Sequence, residues 1–242
     1  MGKKVITIDI LVENEMFNFS SPNDAEFLQR FFKTGPGQYG EGDKFLGVRN
    51  PQIRSVAKKY YNEIANSEVQ ILLNSKWHEV RLCALVIMTL IMPKADISRQ
   101  TEIYNIYLRN ITKNINNWDL VDISAPHIVG YYLCNKSDRK ILYELANGSL
   151  WQKRVAILTT FAFIRKGDYY DAIELSEILM YEKHDLLHKA VGWMLREIGK
   201  RDEAVLIHLL NEYAPTMPRT TLRYAIEKFS PNIRKDYLNL KK

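Results

Sequence analysis

One acidic residue interrupts a row of basic residues that recurs along the chain. The basic members are Arg54, Arg81, Arg154, Lys189 and Arg223, each beside a short apolar run. Asp122 fills the one long gap, so that successive members lie 27 to 41 residues apart. Regularly placed cations suit a phosphate backbone, whereas a lone carboxylate among them would repel that ligand. The exception therefore indicates a chemical purpose for Asp122, although the basic members could equally bond neighbouring loops.

The four tryptophans all lie about one helical turn from a member of this row. The pairs are Trp77 with Arg81, Trp118 with Asp122, Trp151 with Arg154, and Trp193 with Lys189. At this spacing ring and charge share one helix face, and an indole can stack on a base or attract a cation. We expect Trp77 and Trp151 in the interhelical core. We expect Trp118, beside Asp119, and Trp193, beside Arg196, on a functional face.

The elements that must carry these residues are helices. Helix-start signals recur from Ser21 onward, at Ser21-Pro22, Asn50-Pro51, Ser67, Asp96, Ser137 and Ser230-Pro231. Between them the apolar residues repeat with a helical period. Basic positions recurring every 30 to 45 residues or so are typical of HEAT-like helix pairs. We therefore predict an all-α HEAT-like superhelix, an α-solenoid of about twelve helices in antiparallel pairs with a concave basic groove.

Length and composition fit one such domain. The chain has 242 residues, 46% hydrophobic and 26% charged, with a net charge of +6, which excludes a disordered or fibrous chain. We assign residues 21–242 to a single repeat domain. Residues 1–20 form an N-terminal arm of uncertain structure, in which VITIDI (5–10) could be a short strand or a loosely docked segment.

The sequence contains no signal for a membrane or a secretory route. No apolar run approaches the roughly 18 residues of a membrane span, and the N-terminus has no long apolar signal core. Cys83 and Cys134 are not spaced like metal ligands or a disulfide framework. We predict a cytoplasmic protein that is monomeric, has no obligate protein partner and uses no metal or cofactor.

Four segments together resemble the AlkD-like DNA glycosylases, HEAT-like repeat enzymes of alkylation repair. They are FLGVRNP (45–51), NWDLVD (117–122), QKRVAIL (152–158) and KAVGWMLRE (189–197). The resemblance extends from about residue 24 to the C-terminus. It implies an enzyme that hydrolyses the N-glycosidic bond of N3- and N7-alkylated, cationic purines in duplex DNA, a reaction that the family is thought to perform without flipping the base.

The resemblance also implies roles for individual residues. Asp122 becomes the catalytic carboxylate, Trp118 and Trp193 become aromatic walls against the damaged nucleotide, and Arg154 becomes a cleft residue that contacts DNA. The expected DNA-binding residues are Arg154, Lys189, Arg196, Arg223, Arg81, Arg49 and Tyr39. The last of these is matched to the family's groove tyrosine across a segment of different length.

Two positions depart from the best-known form of the family. Asn117 stands where that form has a second tryptophan, and Arg49 stands where it has glutamine. Either change could alter the lesion accepted, or leave a protein that binds without excising. The alternative prediction is therefore a noncatalytic DNA- or protein-binding HEAT-repeat scaffold.

Two further motifs match known patterns only formally. The segment GPGQYG (35–40) fits a dinucleotide-binding pattern, but a helix and not a strand precedes it, so we interpret it as a helix cap and loop. The pair His184 and His188 resembles a zinc-protease motif with Asp185 replacing glutamate. Without an obvious third ligand we do not predict a metal site there.

Overall fold

The computed structural model describes residues 6–240, and the all-α prediction is confirmed for them. They contain helices and no strand, apart from isolated β-bridges such as that between Lys44 and Trp77. The chain divides into two compact units, Met1–Tyr132 and Leu133–Lys242. Within them successive helices pack in a repeat-like arrangement, while the concave basic groove stays a prediction.

The first unit is built from seven helices in its described part. They are α1 (Ile8–Asn18), α2 (Pro22–Phe31), α3 (Asn50–Tyr60), α4 (Asn66–Leu73), α5 (His78–Ile91), α6 (Ile97–Asn110) and α7 (Trp118–Leu133), which ends at the unit boundary. At the centre, α5 contributes an almost uninterrupted buried run from His78 to Met88 and packs against α1, α3 and α4. Burial of the apolar residues of this run stabilises α5, whose first residue, His78, bonds to Asp119 of α7.

The N-terminal arm was expected to be a strand or a loosely docked segment, and this expectation is wrong for its described part. Residues Ile8–Asn18 form α1, which packs against α3, α4 and α5 with Val12 and Met16 fully buried. The apolar positions Ile8, Val12 and Met16 repeat every four residues, which suits one helix face. Residues 1–5, including the start of the expected strand, lie outside the described residues.

The second unit consists of shorter helices around one long helix. Its described members are α8 (Lys140–Ala146), α9 (Leu150–Thr159), α10 (Phe161–Ile164), α11 (Tyr170–Leu179), α12 (Asp185–Gly199), α13 (Glu203–Tyr213), α14 (Arg219–Ala225) and α15 (Pro231–Asn239). The long helix α12 packs against α9, α11, α13 and α14. Gly192 permits the approach of α14, because a Cβ there would lie 2.6 Å from the carbonyl oxygen of Thr221.

The predicted helix starts are confirmed at three places and displaced at three others. Ser21 and Asp96 cap α2 and α6 through their side chains, and α15 begins at Pro231 after Ser230. Helix α3 begins at Asn50 itself, α4 begins one residue before Ser67, and α8 begins three residues after Ser137. Such shifts are usual because several residues near a helix end can satisfy its free N–H groups.

Within residues 6–240, no helix is both long and apolar enough to cross a lipid bilayer.

Candidate functional site

The first turn of α7 carries the two residues singled out by the sequence. Asn117 precedes this helix: its side-chain oxygen accepts a hydrogen bond from the Trp118 amide at 2.9 Å, and its backbone carbonyl accepts one from Val121. Trp118 and Asp122 are each half-buried. Because they are four residues apart in one helix, ring and carboxylate lie on the same face.

The Trp118 indole belongs to an aromatic cluster. It stacks on Phe32 with ring centroids 5.3 Å apart and meets Phe31 edge-on at 6.1 Å. Phe32 in turn stacks on Phe45 at 5.1 Å. These contacts fix the plane of the indole, as a wall of a binding site requires.

The charge of Asp122 acts on the buried side chain of Tyr107. Burial raises the pKa of Tyr107, its hydrogen bond with Ser124 opposes that rise, and the negative charge of Asp122 adds to it. The two hydroxyl groups are 2.9 Å apart. Tyr107 is fully buried, and its hydroxyl group is held by Ser124 of the same helix as Asp122.

A buried network of charged residues lies behind the first turn of α7. His78 is 1% exposed, and its Nδ1 and Nε2 lie 3.0 Å from Asp43 Oδ2 and 2.8 Å from Asp119 Oδ2. The Arg81 guanidinium donates to the other oxygen of Asp43 at 2.5 Å, and the Asn117 amide donates to Asp43 Oδ2 at 3.1 Å. Asp43 is thus the centre of the network, and Asp119 is its outer end.

The ionisation of this network follows from its pairing. Burial alone would raise the pKa of Asp43, but the hydrogen bond from His78 and the charge of Arg81 lower it to about 2. Burial likewise opposes the charged form of His78, yet the carboxylates of Asp119 and Asp43 raise its pKa to about 9. At neutral pH the network therefore contains two carboxylates, an imidazolium and a guanidinium, and its formal charges cancel.

An open cavity of about 460 Å³ lies in front of this network within the first unit. Its walls include Phe27, Phe31, Phe45, Trp118 and Asp119. Arg49, predicted to bind DNA, also lines it, with a side chain that is 74% exposed and paired with Asp24 at 3.2 Å. The cavity is mainly apolar and has five aromatic rings in its walls, which suits a flat ligand more than a phosphate group.

Two of the residues predicted to bind DNA in this unit lie in unlike surroundings. Arg81 is 5% exposed and is held by Asp43, Asn116 and the Ser75 carbonyl. Its burial favours a structural role over the predicted phosphate contact, because the guanidinium already has a carboxylate partner. Tyr39 is half-buried in the loop between α2 and α3.

In the second unit, α12 brings three predicted site residues onto one stretch of helix. Trp193 is half-buried and lies 6.1 Å from the Phe161 ring. Lys189 is paired with Asp185 at 2.8 Å, and Arg196 is paired with Glu227. A phosphate contact by either cation would have to compete with these carboxylates.

The remaining predicted contacts of this unit differ in exposure. Arg154, on α9, is 4% exposed, and its guanidinium donates to the Leu186 carbonyl. Arg223 is exposed in the last turn of α14, where a phosphate can reach it. Trp151 and Trp77 were both expected in the interhelical core. Trp151 is buried as predicted, whereas Trp77 is only partly buried.

The metal-like histidine pair has other partners. His184 caps α12 by accepting a hydrogen bond from the Leu186 amide, and His188 contacts the Glu182 carbonyl. Among the described residues, no group of three or more His, Cys, Asp or Glu side chains is placed to hold a metal ion.

Sequence reasoning singled out Trp118, Asp119 and Asp122 but missed the residues that hold them. Asp43 and His78 are far from α7 in the sequence and carry no motif. The one available signal was Asn117, which departs from the family pattern and is both the cap of α7 and a partner of Asp43.

Comparison with known proteins gives this site its context. The family model described as "DNA alkylation repair enzyme" matches residues 12–229, which is most of the chain. The chain belongs to the DNA alkylation repair enzyme family. No curated protein shows significant similarity to it.

Two solved structures have the fold of this DNA alkylation repair family member. A predicted DNA alkylation repair enzyme from Enterococcus faecalis is 14% identical with a TM-score of 0.69, covering 88% of this chain and 97% of its own. The protein smu.31 from Streptococcus mutans UA159 is 19% identical with a TM-score of 0.53, covering 92% and 99%. At these identities the likeness concerns the fold alone.

Proposed function

We propose that this family member is a DNA glycosylase that releases N3- and N7-alkylated purines from duplex DNA. The observation that carries the proposal is the first turn of α7, where Trp118 and the half-buried Asp122 share one face in a chain of the DNA alkylation repair family. An indole beside a carboxylate suits a cationic substrate, because both groups attract positive charge.

The proposed reaction needs little beyond charge stabilisation. An alkylated purine carries a positive charge, so the bond from C1′ of the sugar to the base nitrogen breaks with the electron pair going to the base, which leaves neutral. The positive charge passes to the sugar as an oxocarbenium-like centre. Water then adds its oxygen to C1′ and releases a proton. Asp122 stabilises the cationic sugar and orients the water.

Trp118 and Trp193 are proposed as the aromatic contacts to the damaged nucleotide. Each is partly exposed and braced by other rings, Trp118 by Phe31 and Phe32 and Trp193 by Phe161. A rigid indole costs little conformational entropy on binding and favours a cation over its face.

Duplex binding is proposed to rest on cations that are at least partly exposed. These are Arg49, Lys189, Arg196 and Arg223, with Arg154 as a cleft residue and Tyr39 as a further contact. Their action is electrostatic and independent of sequence. We further propose that the chain acts as a monomer in the cytoplasm, with damaged DNA as its partner.

The second candidate is a DNA- or protein-binding scaffold without catalysis. Asn117 favours it, because this position is occupied by a second tryptophan in the best-known AlkD-like form. The Asn117 side chain is instead fully buried against Asp43 and the start of α7. Asn117 therefore presents no ring to a substrate.

Asp122→Asn separates the two candidates. We expect it to slow release of N7-methylguanine from duplex DNA at least about a hundredfold, because the amide cannot offset the charge developing on the sugar. Duplex affinity should be unchanged or higher, since one repulsive charge is removed. Single-turnover base release and fluorescence anisotropy measure the two quantities.

The matched control is Asp138→Asn, the same change at an exposed carboxylate preceding α8. It should release base at the wild-type rate. Wild-type protein that binds the duplex but releases no base at saturating enzyme would establish the scaffold instead.

A further inference from the structure

Resting on the proposed function, we propose that His78 is a positioning residue for the reaction. It holds the first turn of α7, and with it Trp118 and Asp122, through its hydrogen bond to Asp119. His78 borders the cavity but is only 1% exposed, so we expect its effect on the reaction to pass through these neighbours.

The geometry around His78 demands that both of its ring nitrogens carry a proton. Both ring nitrogens of His78 face carboxylate oxygens, at 3.0 Å for Asp43 and 2.8 Å for Asp119. A neutral imidazole has only one N–H, so one nitrogen lone pair would then face a carboxylate. Only the imidazolium donates to both, and the raised pKa of His78 agrees with this reading.

The carboxylate of Asp119 depends on His78 for its hydrogen bond. Within the described part of the chain, the other oxygen of Asp119 is buried and has no hydrogen-bond partner. His78 therefore supplies the hydrogen bond that compensates this carboxylate for its partial burial. Without it, Asp119 would have to turn towards water, and the turn of α7 that carries it would shift.

Hydrogen bonds and ring contacts connect His78 to Trp118 by more than one route. Asp119 directly follows Trp118 in the chain. The backbone amide of Trp118 donates to the side chain of Asn117, which in turn donates to Asp43. Phe32 packs against His78 at 5.1 Å and stacks on the Trp118 indole. His78 thus reaches the indole both through hydrogen bonds and through an aromatic ring.

His78 also affects the negative charge that surrounds Asp122. Asp119 and Asp122 are three residues apart on α7, a spacing at which like charges repel. The imidazolium neutralises Asp119, so the pair presents one net negative charge to the substrate. This leaves Asp122 as the carboxylate that the cationic sugar meets.

The charged groups around His78 come from three elements in the described chain. Asp43 lies in the loop before α3, Asp119 lies on α7, and Arg81 of α5 acts through Asp43. The rings of Phe32 and Phe45 cover the remaining faces of the imidazole. A single titration, that of His78, should therefore control the connection to Asp119 at alkaline pH.

The test replaces His78 by glutamine. We expect His78→Gln to lower the single-turnover rate about ten- to a hundredfold, the usual cost of a small misplacement of reacting groups, with duplex affinity unchanged. The wild-type rate should also fall as pH rises through about 9, and the variant should lack that step. His208→Gln, the same change on the exposed face of α13, is the matched control.

A second pair of variants keeps the test decisive if His78→Gln does not fold. Asp119→Ala removes the acceptor, whereas Asp119→Asn retains an oxygen that accepts from Nε2. We expect the alanine variant to lose activity about tenfold or more and the asparagine variant to retain most of it. Equal activity of the two, or a loss of rate matched by an equal loss of duplex affinity, would overturn the positioning role.

Hydrogen exchange makes this outcome independent of catalysis. Amides of residues 121–124, the first that donate within the helix, should exchange about tenfold faster in His78→Gln, because the start of α7 opens more often, while amides of α12 should not change. Inactive wild-type protein would disprove the glycosylase yet leave this measurement intact. Unchanged exchange at α7 would disprove the positioning role even in an active enzyme.

Discussion

At the scale of single residues, the basic positions of the row differ widely in exposure. Arg54 and Arg223 are exposed, whereas Arg81 and Arg154 are almost fully buried. Arg81 neutralises Asp43, which also binds His78 and Asn117. Removing one member of such a buried pair leaves an uncompensated charge, which costs far more than the loss of a surface ion pair.

Arg81→Met should therefore act on stability, and Arg223→Met should act on DNA binding. We expect the first to lower the free energy of unfolding by about 3 kcal/mol and the second to leave it within about 0.5 kcal/mol. Urea denaturation measures this difference. A stable Arg81→Met protein with weakened duplex binding would instead favour the phosphate contact predicted from the sequence.

At the scale of elements, the network joins a loop, the start of α5 and the start of α7 through groups that titrate. The folded-state pKa of His78, about 9, lies above its ordinary value of 6.5. Its contribution to stability is thus complete below pH 6.5 and is lost as pH rises through about 9. For Asp43 the pKa is lowered from 3.8 to about 2, so its contribution is complete above pH 3.8 and is lost as pH falls through about 2.

The unfolding free energy should consequently decline between pH 6.5 and 9. We expect a decline of about 3 kcal/mol from the His78 shift, and we expect His78→Gln to be less stable at pH 6.5 and nearly flat over this window. Urea denaturation at several pH values measures both curves. A His208→Gln protein should keep the wild-type slope, and a wild-type protein without any decline would contradict the imidazolium assignment.

The elements were easier to predict than the connections between them. Helical periodicity and cap residues located α2, α6 and α15 within a residue, and the break in the basic row located Asp122 in α7. The burial of Arg81 was not predictable, because its partner Asp43 lies 38 residues away in a loop. Likewise, α1 was missed because its short apolar repeat fits a strand as well as a helix.

At the scale of the whole molecule, the net charge of +6 gives an expectation for DNA binding. Affinity should fall steeply with salt, since each neutralised phosphate releases counterions. In the protein without DNA, Lys189 is paired with Asp185 and Arg196 with Glu227, so these two cations are already partly neutralised before a phosphate reaches them. Net charge alone therefore overstates the number of phosphate contacts.

Arg223→Ala and Lys189→Ala should each weaken binding to any duplex, damaged or not. We expect each to reduce the slope of log affinity against log salt by about 0.9. Lys94→Ala, an exposed lysine outside the row, should leave the slope unchanged. Slopes identical to that of the wild type in both row variants would remove these residues from the DNA interface.

The double role of Asn117 restricts how this chain can diverge. One side chain both caps α7 and donates to Asp43, and it is completely enclosed. A tryptophan introduced there alone would need more volume than the site has and would leave both partners unsatisfied. Positions 43 and 117 should therefore change together among relatives, so that an aromatic residue at 117 is inherited with a different residue at 43.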